Sequence, residues 1–80
     1  MDIKQSVRTF IMKNFYVADA GALTDDISFL DKGIIDSTSI LELTAFLEEN
    51  FHIQILDDEL VPENLDSLAA VEAFVKRKLA

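Results

Sequence analysis

The chain has 80 residues, half of them hydrophobic, with only two glycines and one proline. A chain of this length has room for one hydrophobic core, and this composition suits a folded helical protein, so we expect one domain over residues 1–80. Its 15 acidic and 7 basic residues give a net charge of −8, which disfavours nucleic acids and anionic membranes as partners. This charge either favours basic protein surfaces as partners or only keeps a small protein soluble.

The amino terminus and the cysteine count exclude further classes of protein. Residues 1–4 lack the basic and then apolar order of a secretory signal, and the apolar runs of the chain are only a few residues long. We therefore expect no membrane insertion and a cytoplasmic location. The absence of cysteine excludes a disulfide, a thiolate metal site and a cysteine nucleophile.

The first periodic segment predicts a helix from about Ile3 to Phe15. Its apolar residues share one stripe at helical spacing: Ile3, Val7, Phe10, Ile11 and Phe15. The period is lost from Ala18 to Asp36, where we expect a long loop that its apolar residues hold to the core. Those residues are Leu23, Ile27, Phe29, Leu30, Ile34 and Ile35.

The strongest helical pattern begins near Ser37 and continues to about Asn50. Its inward stripe consists of Ile40, Leu43, Phe46, Leu47 and then Phe51. Residues 52–55 alternate as a strand does, but an isolated strand has no partner. We therefore expect an extended link that buries Ile53 and Ile55.

The rest of the chain predicts a short helix and a last long one. The short helix is expected at Asp57–Leu60, with Pro62 ending it, and Asp66 or Ser67 then caps the last helix. The core side chains of that helix are Leu68, Val71, Phe74, Val75 and Leu79. The predicted fold is all-α, a small bundle of three longer helices and one short helix, with a long loop between the first two.

Few residues suit catalysis or metal binding. The chain has one histidine and no glycine-rich phosphate loop. The acidic stretch at residues 31–33 lacks the alternating ligands and the final glutamate of a calcium-binding loop. His52 lies between apolar neighbours without other ligands, which favours a surface or capping role. We therefore predict no catalytic residue, no metal site and no enzyme.

One segment remains, residues 33–43, in which a loop enters the strongest helix through Asp36 and Ser37. Asp, Ser and Thr are preferred helix caps, and Ser39 with Glu42 three residues later matches a capping box. By these local rules the segment needs no function beyond starting a helix, so any functional interpretation depends on its surroundings.

The segment and its surroundings resemble the acyl carrier protein family. That family has a serine after an aspartate at the start of its second helix, and this serine receives 4′-phosphopantetheine. Asp36-Ser37 matches the pair, Glu42-Leu43 follows at the family's spacing, and residues 47–55 continue the register. Because the order and lengths of the predicted elements also match, the resemblance covers nearly the whole chain.

The resemblance implies a stand-alone carrier that holds 4′-phosphopantetheine covalently on Ser37 and presents a thioester-bound acyl or aminoacyl cargo. Asp36 would help to position a phosphopantetheinyl transferase and its metal-bound cofactor, or would serve only as a cap. The other partners implied are an ATP-dependent acyl or aminoacyl ligase and downstream acyl-transfer enzymes. We expect a monomer, since a carrier must expose its arm to several partners in turn.

The second helix is the expected docking face, where Glu42, Glu48 and Glu49 point outward and would steer a basic enzyme surface. Thr38 and Leu41 lie near the serine, and Leu41 would give a small apolar contact. For the glutamates, a solvated charged helix face is the alternative. The alternative function is an unmodified acidic module that binds a basic partner protein. Replacing Ser37 with alanine would abolish a carrier, whereas such a module would lose only about 1 kcal/mol through weaker capping.

The motif departs from the family at one position. The family's usual third residue is leucine, but this chain has Thr38, so a hydrophobic contact used by many partners is missing. Residues 33–37 are more similar to the Gly-Leu-Leu-Asp-Ser stretch of D-alanyl carrier proteins than to fatty-acid carriers, and residues 59–65 are similar to stand-alone aminoacyl and peptidyl carriers. An amino acid or a specialised acyl group is therefore favoured as cargo. Ile34, Ile40, Phe46 and the other apolar residues line either a plain core or an opening pocket for a fatty chain.

Overall fold

The structure, a computed structural model, describes residues 2–15, 17, 21 and 23–80. The helices in these ranges are α1 (Ile3–Asn14), α2 (Ile40–Phe51), α3 (Pro62–Leu65) and α4 (Leu68–Leu79), and a 3₁₀ turn at Asp57–Glu59 precedes α3. No strand occurs among the described residues. The prediction of an all-α fold with three longer helices and one short helix is therefore confirmed. Over the same ranges, no helix has the length and apolar character needed to cross a membrane.

The core lies where α4 packs against α1, α2 and α3. Its buried helical residues are Ile3, Val7, Ile11, Leu43, Leu47, Phe51, Leu65, Leu68, Val71, Phe74 and Val75. Phe10 and Phe46 lie at the edge of this core, half-buried, with ring centroids 4.1 Å apart in a stacked arrangement. The prediction that Leu79 faces the core is wrong, because α4 ends at this residue and leaves its side chain 53% exposed.

The long loop before α2 is held to the core by apolar side chains, as predicted. Leu23, Phe29 and Ile35 are buried, whereas Leu30 is 41% exposed. Residues 18–20 and 22 of the predicted loop lie outside the described residues.

Polar contacts attach the same loop to the helices. Lys4 on α1 pairs with Asp25, with 2.9 Å between the ammonium nitrogen and a carboxylate oxygen. The Asp25 carbonyl accepts from the Ala69 N–H at 2.9 Å, and the Phe29 N–H donates to the Asp66 carbonyl at 2.9 Å. The loop is therefore attached to the region around the start of α4 at two points.

The link after α2 is extended, and it packs on the core. His52 ends α2 in the left-handed conformation, with φ 56° and ψ 46°, and its side chain is exposed. This confirms the predicted surface or capping role for the histidine. Ile53 and Ile55 are half-buried against the core.

The short helix forms later in the chain than the pattern predicts. Residues Asp57–Glu59 make only the 3₁₀ turn. Pro62 begins α3 instead of ending a helix, because proline at the first helical position has no N–H to leave unpaired. Of the two candidate caps for α4, the Ser67 hydroxyl accepts a backbone N–H at 3.1 Å. Asp66 instead ends α3.

Candidate functional site

Asp36 caps the turn that leads into α2. One of its carboxylate oxygens accepts hydrogen bonds from two backbone N–H groups, that of Thr38 at 3.0 Å and that of Ser39 at 2.6 Å. Its carbonyl oxygen accepts from the Ile40 N–H at 3.1 Å. These are the bonds of a helix N-cap, whose side chain satisfies backbone donors that have no partner within the helix.

The same bonds stabilise the ionised form of this carboxylate. Hydrogen bonds from the Ser39 N–H, with the Ser39 hydroxyl and the Thr38 N–H adding to it, hold the pKa of Asp36 below its ordinary value of 3.8. The side chain is exposed, and the positive end of the helix dipole favours a negative charge at this position. Asp36 is therefore a charged cap at neutral pH.

The regular part of α2 begins at Ile40, later than the predicted start near Ser37. The predicted capping box of Ser39 and Glu42 is absent. Ser39 has helical φ −69° and ψ −17°, and its side chain caps no backbone N–H. The Glu42 N–H donates instead to the Ser39 carbonyl at 2.9 Å. The cap lies one turn earlier, because the Asp36 carboxylate already binds the backbone donors of that turn.

Ser37 directly follows the cap and is exposed to solvent. Its hydroxyl forms no hydrogen bond with any residue that the structure describes. No general base in the described ranges contacts the hydroxyl, and a substituent placed on its oxygen would break no internal bond.

A cavity of about 220 Å³ opens beside Ser37. Apart from Ser37 and Asp66, its lining is apolar: Leu30, Ile40, Leu60, Val61, Pro62 and Leu65. These residues come from the long loop, the start of α2 and the region of α3. A group attached to Ser37 would therefore have solvent on one side and an apolar surface on the other.

The predicted docking residues on α2 divide into two groups. Leu41 is 57% exposed, and Thr38, Glu42 and Glu49 are exposed as well. Glu48 differs from the prediction that it points outward. It is half-buried, and its Oε2 accepts a hydrogen bond at 2.9 Å from the backbone N–H of Ile55, in the link after α2.

Comparison with known proteins decides the family. A D-alanyl carrier protein of Abiotrophia defectiva is 33% identical to this chain over 55 residues, which cover 69% of this chain and 70% of that protein. The chain belongs to the acyl carrier protein family. The solution NMR structure of a holo acyl carrier protein from Nitrosomonas europaea has the same fold as this carrier, with a TM-score of 0.74 at 24% identity. That alignment covers 99% of the carrier and 98% of its neighbour. No family model matches the carrier.

Membership in this family confirms two predictions, that the chain is a carrier protein and that it is not an enzyme. Membership also implies a phosphopantetheine prosthetic group and interactions with the transferases and ligases that modify and load carriers. In the carrier's described ranges, no group of three or more His, Cys, Asp or Glu side chains is arranged to hold a metal ion.

The residues at the start of α2 fit such a prosthetic group. Ser37 offers an exposed hydroxyl without a partner among the described residues, and the adjacent cavity offers an apolar surface. The turn that presents Ser37 is held by Asp36 and not by the serine itself. The carrier can therefore accept a substituent there without losing a helix cap.

Sequence patterns missed a second carboxylate near this site. Asp66 lines the same cavity as Ser37, and its carboxylate accepts hydrogen bonds from the Ser28 hydroxyl and from the Leu30 N–H. The sequence pattern indicates Asp66 only as a candidate helix cap. No local pattern reveals a bond between residues this far apart in the chain, because only the tertiary fold brings them together.

Proposed function

We propose that the carrier bears 4′-phosphopantetheine covalently on Ser37, acts as a stand-alone protein, and presents a thioester-bound cargo to partner enzymes. The observation that carries this proposal is the exposed hydroxyl of Ser37, which bonds to no described residue, on a turn that Asp36 caps. The family membership supports the same role. When bound, the terminal thiol of the group would supply the thioester that a chain without cysteine cannot form.

The residues around Ser37 have distinct parts in this function. Asp36 keeps the turn in place by binding the N–H groups of Thr38 and Ser39, so the backbone that carries Ser37 is held while its side chain stays exposed. A phosphodiester on that oxygen would lie at the amino-terminal end of α2, where the helix dipole favours a negative group. Because no described base contacts Ser37, the transferase must supply the catalysis.

The exposed face of α2 is the proposed docking surface. Glu42 and Glu49 present carboxylates, and Leu41 and Thr38 lie near the serine. Basic partner surfaces would be steered by the charge, while Leu41 supplies a small apolar contact. Glu48 takes a structural part in this proposal, since its carboxylate already holds the link after α2.

The proposed cargo is an amino acid or a specialised acyl group. The D-alanyl carrier relative and the similarity of residues 33–37 and 59–65 to D-alanyl and aminoacyl carriers support this choice. An ATP-dependent ligase would load the cargo, and downstream acyl-transfer enzymes would receive it. We further propose that residues 1–80 form one carrier domain that acts as a monomer in the cytoplasm.

The first test is the intact mass of the protein after incubation with coenzyme A, magnesium and a broad-specificity phosphopantetheinyl transferase. We expect the parent to gain one phosphopantetheine and Ser37→Ala to gain none. Ser39→Ala is the matched control, because it removes a hydroxyl from the same turn and should still be modified. Ser37→Ala should keep its fold, because the Ser37 hydroxyl has no described partner. The loss of stability through weaker capping, which the sequence alone suggests, is therefore not expected.

A folded parent that gains no mass with several transferases would contradict the proposal. An unmodified acidic module that binds a basic partner would then become the better interpretation. Modification that persists in Ser37→Ala would place the group on another residue.

A further inference from the structure

A hydrogen-bonded cluster around Asp66 holds the loop before α2. Asp66 Oδ1 accepts from the Leu30 N–H at 2.9 Å, and Oδ2 accepts from the Ser28 hydroxyl. The Asp66 carbonyl accepts from the Phe29 N–H at 2.9 Å. The Ser28 oxygen in turn accepts from the Asp31 N–H at 3.2 Å. One residue between α3 and α4 therefore binds three consecutive residues of the loop.

The loop segment bound in this way, residues 28–35, folds into a compact turn that leads directly to the site. The N–H groups of Ile34 and Ile35 both donate to the Phe29 carbonyl, at 2.9 Å and 3.3 Å. The side chains of Phe29 and Ile35 are buried. Because Ile35 directly precedes the capping Asp36, the position of the site depends on this 28–35 turn.

Residues of the same cluster also line the cavity beside Ser37. Leu30, Asp66 and Ser37 all line it. The bond from the Leu30 N–H to Asp66 therefore holds one wall of the space next to the serine. Loss of this bond would loosen that wall and the adjoining part of the turn, while the bond from the Phe29 N–H to the Asp66 carbonyl would remain.

We propose that Asp66 is a positioning residue for the modification of Ser37, an inference that rests on the proposed function. Asp66 acts through the 28–35 turn: it fixes Leu30 and Phe29, and the buried end of that turn then fixes where the serine hydroxyl is presented. A catalytic site is sensitive to such placement, since a displacement of about 1 Å can cost about 100-fold in rate.

The loop also contains a natural control for this proposal. Asp25 is a carboxylate in the first half of the same loop, and it too accepts a side-chain bond, from Lys4 at 2.9 Å. Its carbonyl also binds a backbone N–H near the start of α4. Asp25 does not line the cavity beside Ser37. Asp66→Ala and Asp25→Ala therefore each remove a carboxylate that attaches the same loop, the first beside the cavity and the second away from it.

The test combines amide hydrogen exchange with modification kinetics, using the full chain, coenzyme A, magnesium and a phosphopantetheinyl transferase. In Asp66→Ala we expect faster exchange at the Leu30 and Asp31 amides than in the parent, with α4 amides little changed. We expect kcat/KM for modification to fall about tenfold or more. Asp25→Ala should leave both quantities close to those of the parent.

Two further variants distinguish a loss of positioning from simple misfolding. Asp66→Asn keeps an oxygen that can accept from the Leu30 N–H, so it should recover most of the modification rate. Ser28→Ala removes only the hydroxyl from the cluster and should give an intermediate loss. The amide exchange rates and the kcat/KM for modification should rank these variants in the same order.

The possible results separate this inference from the function on which it rests. An unmodified parent overturns the proposed function and this inference with it. A modified parent together with a parent-like rate in Asp66→Ala overturns this inference alone. Equal losses in Asp66→Ala and Asp25→Ala would also overturn it, because loop attachment in general, and not Asp66, would then set the rate.

Discussion

Asp36 and Ser37 are neighbours in the chain with opposite bonding. The Asp36 carboxylate binds two backbone N–H groups, whereas the Ser37 hydroxyl binds no described residue. Local rules allow either residue to be the cap, because aspartate and serine are both preferred there. The structure assigns the cap to the aspartate and leaves the serine available for modification.

The charge on this cap leads to a prediction about pH. The pKa of Asp36 is lowered in the folded protein, mainly by the Ser39 N–H, so its ionised form stabilises the fold. This contribution is fully present above the ordinary value of 3.8 and is lost as the pH falls through the lowered pKa. The Asp36→Asn variant lacks this contribution to stability at every pH. We expect the difference in unfolding free energy between parent and variant to be constant near neutral pH and to shrink below that value.

Urea unfolding of both proteins at a series of pH values would measure this difference. Asp58→Asn is a suitable control, since Asp58 is an exposed carboxylate outside the capping turn. A parent–variant difference that stays the same down to the lowest accessible pH would show that the charge on Asp36 does not stabilise the cap.

At the scale of the element, α2 combines a core face and an exposed face in the same twelve residues. Leu43, Leu47 and Phe51 are buried, and Leu41 is 57% exposed one turn after the serine. Helical periodicity predicts the positions of these four residues correctly, because burial follows the period of the helix, but it does not predict the half-buried Glu48. The exposed side chains are therefore free to bind partners without loss of the core.

Two leucines of α2 give a direct test of this division. Leu47 is fully buried, so Leu47→Ala should lower the free energy of unfolding by about 2–5 kcal/mol. Leu41→Ala should change it by less than about 0.5 kcal/mol but should raise the KM of the protein for the transferase. Chemical denaturation and modification kinetics would measure the two effects. If Leu41→Ala left KM unchanged, Leu41 would have no part in docking that enzyme.

On the scale of the whole molecule, charge is the dominant surface property. The net charge of −8 is spread over a small protein, and the basic side chains of the last turn of α4 are already engaged. Lys78 pairs with Glu59 at 2.8 Å, and Arg77 donates to Asn64 at 2.9 Å. The acidic face of α2 has no such partners at Glu42 and Glu49 in the described part of the chain. The negative charges of Glu42 and Glu49 can therefore attract a basic partner.

This surface predicts that modification depends on ionic strength. Rising salt should increase KM for the carrier with little change in kcat, because exposed charges are screened beyond about 10 Å at 0.1 M salt. The variants Glu42→Gln and Glu49→Gln should weaken the dependence, whereas Asp58→Asn should not. Steady-state kinetics over a range of salt concentrations would measure it. An equal effect of all three variants would indicate net charge alone and not a docking face.

The sequence alone determined the helical class, most of the core and the family resemblance, and it predicts the Asp36-Ser37 site. These features depend on periodicity and on residues close together in the chain, which local rules describe well. Only the tertiary structure decided that Pro62 starts a helix, which residue caps α2, that Glu48 is half-buried, and that Asp66 binds Ser28 and Leu30. In each case several local arrangements satisfy the same pattern. The choice between them depends on which backbone donors and apolar surfaces the folded chain brings within reach.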